Sequence, residues 1–115
     1  MKKLALTLVL LAFASSLFAT TVTECSSHIS ALSVATQGAA FYGKNAEVDR
    51  ANLIGKLDFA QNKLNQAKLA DAVQKLTDFR DKVSTLSTTG KINAVNAAEL
   101  IAGANDAILC IQNLG

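Results

Sequence analysis

The chain has 115 residues, of which 50% are hydrophobic and 17% charged, with eleven Lys and Arg against nine Asp and Glu. This length indicates one domain and excludes a multidomain enzyme. The apolar fraction excludes a disordered chain, and the absence of proline excludes a Pro-rich linker. A composition rich in Ala and Leu argues against an all-β fold.

The first 19 residues have the order of a secretory signal peptide. Lys2 and Lys3 form a basic start, residues 4–13 are apolar except for Thr7, and the small residue Ala19 closes the segment. The apolar stretch is shorter than the roughly 20 residues that cross a bilayer. We therefore expect cleavage after Ala19 and a secreted or periplasmic protein. The alternative is a buried N-terminal helix or an uncleaved anchor.

Removal of this segment changes the charge balance of the chain. Lys2 and Lys3 leave with it, so residues 20–115 carry nine cations and nine acids and have no net charge. A neutral domain has no basic field to hold nucleic acid or an anionic membrane. We therefore expect neither a nucleic-acid partner nor stable membrane insertion after cleavage.

Two helices are predicted in the first half of residues 20–115. The first begins with a capping box, Thr21 followed by Glu24 three residues later, and ends at Gly38. After a connection over residues 39–48, Asp49 is the expected N-cap of the second helix. Apolar residues recur at spacings of three and four in both segments: Val22, Cys25, Ile29 and Leu32 in the first, and Leu53, Leu57, Ala60, Leu64 and Ala67 in the second.

Two further helices are predicted in the second half. The third ends at Gly90, and Asn93 caps the fourth. Their apolar residues follow the same periodicity: Leu69, Val73, Leu76, Phe79, Val83 and Leu86 in the third, and Ala97, Leu100, Ile101, Ala104, Ile108 and Ile111 in the fourth. Leu76 and Phe79 should lie at the centre of the core. Two acid-first pairs at i,i+4 support the third helix: Asp71 with Lys75, and Asp78 with Lys82.

The boundary between the second and third helices contains neither Gly nor Pro. A single helix over residues 49–87 would be about 58 Å long, which is more than a domain of this size can cover. We therefore place a turn at residues 65–68. Four helices with short connections predict an all-α, antiparallel up-down four-helix bundle over residues 20–115.

The two cysteines, Cys25 and Cys110, are expected to form a disulfide. Exported chains with two cysteines normally pair them. Cys25 lies near the start of the first helix and Cys110 near the end of the fourth, so an up-down bundle places them at the same level. Closing a loop of this length contributes roughly 4–5 kcal/mol in the chain-entropy model. A reactive or metal-binding pair is the alternative.

No residue set typical of catalysis or of a cofactor site is found. His28 is the only histidine, and zinc needs three or four ligands. A haem bundle lacks its axial ligands, and no G-x-S-x-G elbow supports a Ser/His/Asp triad. We expect no enzyme, no cofactor, no metal and no catalytic residue, with His28 packed at the border of an apolar face.

Residues 45–56 match a calcium loop of the EF-hand type only in part. Asn45, Glu47 and Asp49 alternate like its first three ligands. Arg50 stands where the turn needs glycine, and Lys56 stands where the bidentate glutamate belongs. EF-hand binding is therefore not expected, and a weak, irregular ion site is the alternative.

Phe41 and Tyr42 form the only adjacent aromatic pair of the expected mature chain, and they lie in its longest connection. One interpretation is that the rings plug an end of the bundle. The other is that they form an exposed anchor for a protein or carbohydrate partner. We treat both residues as candidate partner contacts.

Residues 51–114 resemble the FIMAH-type domain, a small helical accessory module of secreted and surface bacterial proteins. The resemblance rests on residues 53–61 (LIGKLDFAQ), 72–79 (AVQKLTDF) with Val83, 89–92 (TGKI) and 98–101 (AELI). The family often has glycine between its second and third helices, where this chain has Ala67. The resemblance implies an extracellular binding or tethering module, and it carries over no catalytic residue.

These observations favour a secreted, non-enzymatic interaction or structural module. Its partner would be a protein or a surface polysaccharide. The alternative is a small inhibitor or immunity-like protein that blocks a secreted enzyme.

Overall fold

The computed structural model describes residues 20–114, which form four helices: α1 Val22–Gly38, α2 Ala46–Asn65, α3 Leu69–Thr88 and α4 Ala94–Gln112. Both α1 and α3 pack against α2 and α4, so the helices form a closed ring of antiparallel neighbours. The predicted all-α, up-down four-helix bundle is confirmed. The predicted signal peptide falls on residues 1–19, which lie outside the described residues.

The core is filled by one apolar stripe from each helix. Leu76 and Phe79 are completely buried, as predicted. The largest other side chains that are almost free of solvent contact are Leu53, Leu57, Leu64, Leu100, Ile111 and Val83. Because these residues recur at helical spacing, packing of one face of each helix accounts for the bundle.

The start of α1 is confirmed, and its end uses a different cap from the one expected. The Thr21 hydroxyl accepts a hydrogen bond from the Glu24 amide at 3.1 Å, and the Glu24 carboxylate accepts one from the Thr21 amide at 3.0 Å. Gly38 is the last helical residue, and the chain leaves through Ala39 in an extended conformation. Ala39 is buried, so this exit leads the connection onto the core.

The predicted N-cap of α2 is wrong by one helical turn. The helix begins at Ala46 with Asn45 at the N-cap position, and the Asp49 amide donates to the Asn45 carbonyl at 2.8 Å. Asp49 is only 8% exposed. The earlier start follows from Gly43, whose φ of 91° is readily adopted by glycine and turns the chain into the helix.

The predicted turn between α2 and α3 is confirmed at residues 66–68. Ala67 has a φ of 61°, a left-handed conformation that favours glycine. The Lys68 amide donates to the Lys63 carbonyl at 2.8 Å and the Ala67 amide to the Leu64 carbonyl at 3.0 Å. These two bonds make a Schellman motif.

The end of α3 has the same motif with glycine in the left-handed position. Gly90 has a φ of 71°. The Lys91 amide donates to the Leu86 carbonyl at 2.8 Å, and the Gly90 amide donates to the Ser87 carbonyl at 3.1 Å. The two turns therefore share one backbone geometry, and only the first contains a residue that the geometry strains.

The disulfide between Cys25 and Cys110 is confirmed. It joins α1 to α4 across a sequence separation of 85 residues, with the two Cα atoms 5.5 Å apart. At the same end of the bundle, an isolated backbone bridge pairs Thr20 with Leu114. The two ends of the described chain therefore lie side by side.

The two predicted i,i+4 ion pairs of α3 are not formed. The ion pairs found within residues 20–114 are Glu47 with Arg50 and Arg80 with Asp81. Asp78 instead accepts a hydrogen bond from Gln74 at 3.0 Å. Exposed pairs of this kind contribute little, so competing contacts of similar strength displace them.

Among the described helices, α4 is the one whose length and composition would allow it to cross a membrane. Six of its residues are buried against the rest of the bundle. A buried stripe of this kind is what a core helix needs, and an apolar core helix passes the same test of length and composition.

Candidate functional site

Two connections meet at the end of the bundle that lies opposite the chain ends, and we call this the paired-loop end (residues 39–45 and 89–93). The Tyr42 amide donates to the Lys91 carbonyl at 2.9 Å, and the Asn93 amide donates to the Ala40 carbonyl at 2.9 Å. Phe41 and Ile92 face each other in an antiparallel bridge. These bonds hold the aromatic pair on a defined backbone.

Two asparagines at the start of α4, the N-cap residue Asn93 and Asn96 in the first turn, position the first connection. The Asn93 side chain caps α4, as predicted, by accepting from the Asn96 amide at 3.0 Å. The Asn96 side chain in turn accepts from the Ala40 amide at 2.9 Å. The Asn93 carboxamide also donates to the Tyr42 hydroxyl at 3.4 Å. The hydrogen bond between Ala40 and Asn96 joins residues 56 positions apart, so no local sequence pattern could have indicated it.

Phe41 is the buried member of the aromatic pair. Its ring is only 9% exposed and belongs to the core. The Arg50 guanidinium lies over this ring, 4.9 Å from its centroid, and donates to the Ala39 carbonyl at 2.9 Å. The ring and the guanidinium together close this end of the bundle.

The same guanidinium pairs with Glu47 one turn earlier on α2. The hydrogen bond from Arg50, followed by the positive charge of Arg50, lowers the pKa of the Glu47 carboxyl below its ordinary value. Arg50 therefore links an exposed carboxylate, a buried ring and a loop carbonyl. The Arg50 contact with Phe41 was missed at the level of sequence, although the i,i+3 spacing of Glu47 and Arg50 was visible there.

Tyr42 is the exposed member of the pair, with 47% of its surface accessible. It borders a cleft of about 190 Å³ that is lined by Tyr42, Gly43, Lys44, Asn45 and Lys91. The cleft offers a phenol hydroxyl, a carboxamide and two ammonium groups. These groups can bind a hydroxyl or carboxylate of a partner through hydrogen bonds.

The two candidate contacts therefore differ in their exposure to solvent. The interpretation as a plug describes Phe41, because its ring packs into the core. The interpretation as an exposed anchor describes Tyr42, because its ring faces solvent beside the cleft. Contact with a partner stays a prediction for both residues.

His28 and the candidate ion ligands of residues 45–49 do not form a site. His28 is exposed on α1. Asn45 stands at the N-cap position of α2, Glu47 turns to Arg50, and Asp49 is buried. Within residues 20–114, no group of three His, Cys, Asp or Glu side chains is placed to hold a metal ion.

No protein-family model, curated protein or solved structure was found to match the chain. The resemblance to FIMAH-type domains therefore stays a prediction.

Proposed function

We propose that the protein is an exported, non-enzymatic interaction module that binds a protein or surface polysaccharide through its paired-loop end. The observation that carries this proposal is the half-exposed Tyr42 ring, held on a hydrogen-bonded loop beside a polar cleft. A fixed aromatic ring loses little conformational entropy on binding, and such rings often contribute much of the binding energy.

Export is supported by two independent features. The disulfide suits an oxidising compartment, because thiols in the cytosol are kept reduced. The first 19 residues have the order of a cleavable signal peptide. Secretion and a periplasmic location are both compatible with these features.

The resemblance to FIMAH-type domains supports a binding or tethering role. That family often has glycine between its second and third helices, and here Ala67 adopts the left-handed conformation that favours glycine. The TGKI stretch over residues 89–92 supplies Gly90 at the equivalent turn after α3. Both turns have the left-handed conformation that glycine adopts readily.

An inhibitor or immunity-like protein of a secreted enzyme is the second candidate. The feature that favours it is the hydrogen bonding between the two connections of the paired-loop end, because inhibitors of standard size bind with little backbone change. The two candidates differ in what happens to the partner, since an inhibitor lowers the activity of an enzyme and a tether does not.

The test is affinity capture from the secreted fraction of the source cells with the oxidised protein. Tyr42→Ala should weaken binding by about 2 kcal/mol or more, which is roughly 30-fold. The matched control is Val34→Ala, which shortens another exposed side chain on α1 and should leave binding unchanged. Equal capture by both variants would refute the role of Tyr42, and a captured enzyme that loses activity would establish the inhibitor.

A further inference from the structure

One face of the bundle concentrates positive charge around an exposed aromatic ring. Lys56 and Lys63 lie on α2, and Lys75 and Lys82 lie on α3. We call these four residues the lysine rows. In each row the two lysines are seven positions apart, which is about 10.5 Å along a helix axis. Both walls of the α2–α3 face therefore carry cations at a spacing of two helical turns.

Two adjoining depressions run between these rows. The first has a volume of about 400 Å³ and is lined by Ala51, Asn52, Gly55, Lys56, Phe59, Lys75 and Lys82. The second has a volume of about 350 Å³ and is lined by Phe59, Lys63, Asp71, Gln74 and Lys75. Phe59 and Lys75 border both, so the depressions form one groove.

The middle of the groove is apolar and accessible. Phe59 is 56% exposed although it is a large hydrophobic residue. Gly55, one turn earlier on α2, has open space where a side chain would begin. A partner side chain can therefore reach the groove beside the Phe59 ring and bury apolar surface there.

None of the four lysines forms a salt bridge with another described residue. Within the described part of the chain, none of the four has a carboxylate within 4.0 Å, and the Lys75 ammonium lies 5.3 Å from the centre of the Phe59 ring. Asp71 lines one end of the groove, and Asp78 is engaged by Gln74. Asp71 and Asp78 precede Lys75 and Lys82 by four residues on α3, so the α2–α3 face carries four cations and two carboxylates, although residues 20–115 as a whole have no net charge.

We propose that this groove binds an acidic amphipathic helix of a partner protein. This rests on the proposed function: the partner that meets Tyr42 at the paired-loop end would make a second contact at the α2–α3 face, and its class would be a protein. A helix with a carboxylate every seven residues on each side of an apolar stripe matches both lysine rows in register, as charges beside the seam of a coiled coil do. An apolar side chain of its stripe would pack on Phe59, which is the usual anchoring of a helix in a groove.

The spacing separates this partner from an anionic polysaccharide or a lipid surface. Those ligands present negative charge without the two-turn helical repeat, and they do not require an apolar anchor at the centre. Binding of the proposed partner must therefore depend on charge spacing and on Phe59 together.

The test uses a synthetic helical peptide with leucine along one stripe and glutamate at heptad positions beside it. A second peptide has the same composition, with its glutamates moved to the opposite face. Binding to the oxidised protein is measured by fluorescence anisotropy at low and physiological salt, and the contact surface is mapped by amide chemical shifts. The first peptide should bind at the α2–α3 face, more tightly at low salt, and the second should bind at least about tenfold more weakly.

Two variants with a matched control decide the contribution of each feature. Phe59→Ala and Lys82→Glu should each weaken peptide binding by about tenfold. Lys68→Glu makes the same charge change at an exposed lysine that lines neither depression and should change binding by less than about twofold. Thermal melting of each variant verifies that the fold is retained.

Equal binding of the two peptides, or shifts confined to another face, would overturn the proposal. It would also be overturned if uronic-acid polysaccharide or anionic vesicles bound at this face and Phe59→Ala made no difference. In the affinity capture described above, a partner retained by Lys82→Glu and lost by Tyr42→Ala would overturn the groove and leave the proposed function standing.

Discussion

Reduction of the disulfide should lower the free energy of unfolding by about 4.6 kcal/mol. The bond closes a loop of 85 residues, and the chain-entropy relation for a loop of that length gives this value at 25 °C. The loss is comparable with the whole stability of a small domain. We therefore expect the reduced bundle to be marginal and the oxidised bundle to be robust.

The assay is urea unfolding of the same protein with and without a thiol-free reductant. Reduction keeps both cysteine side chains, whereas serine at the completely buried Cys25 position would place a hydroxyl in the core. The dependence of the unfolding free energy on urea should also be steeper after reduction, because the unfolded chain is then more expanded. A loss below about 2 kcal/mol with an unchanged slope would refute the reasoning from loop entropy.

Three further predictions concern the turns and the paired-loop end. Ala67→Gly should raise the free energy of unfolding, measured by urea titration, by about 1 kcal/mol because it relieves a left-handed alanine. The control Ala102→Gly, exposed in the middle of α4, should lower that free energy by about 1 kcal/mol. A change of the same sign in both variants would contradict this prediction. Phe41→Ala should lower stability by about 3 kcal/mol and Tyr42→Ala by less than about 1 kcal/mol in thermal melts, and similar losses would show that both rings are structural. An NMR titration should show the pKa of the Glu47 carboxyl below its ordinary value of 4.5. Because this pKa is lower in the folded than in the unfolded protein, the ion pair stabilises the fold above the unfolded pKa. That stability is lost as the pH falls through the folded pKa.

The bundle and its disulfide could be predicted from sequence because local periodicity and chain order determine them. The apolar residues of α3 recur at helical spacing. Leu76, Phe79, Val83 and Leu86 are buried as that spacing requires, and Leu69 and Val73 are partly buried. The turn at Ala67 was placed from helix length alone. The backbone conformation of Ala67 could not be predicted from its residue type, since alanine rarely adopts the left-handed region.

The start of α2 and the functional surfaces depend on contacts between distant residues. Asp49 is a good N-cap by residue type, but the turn at Gly43 starts the helix earlier and buries Asp49 inside it. The burial of Phe41 depends on Arg50 and on the facing loop. The lysine rows were not predicted from the sequence because the net charge is a sum over the whole surface. Binding depends instead on where charges of one sign are grouped.

The position of the disulfide also determines how the protein would respond to mechanical load. Thr20 and Leu114 lie together, and the bond between residues 25 and 110 ties the chain just inside both ends. A pulling force applied at the two ends would pass through the bond, and the residues between the cysteines would carry no tension. Single-molecule extension of the oxidised protein should therefore lengthen it only by the short segments outside the bond, and reduction should release the chain between the two cysteines, whose sequence separation is 85. A bundle closed in this way would stay folded while under tension.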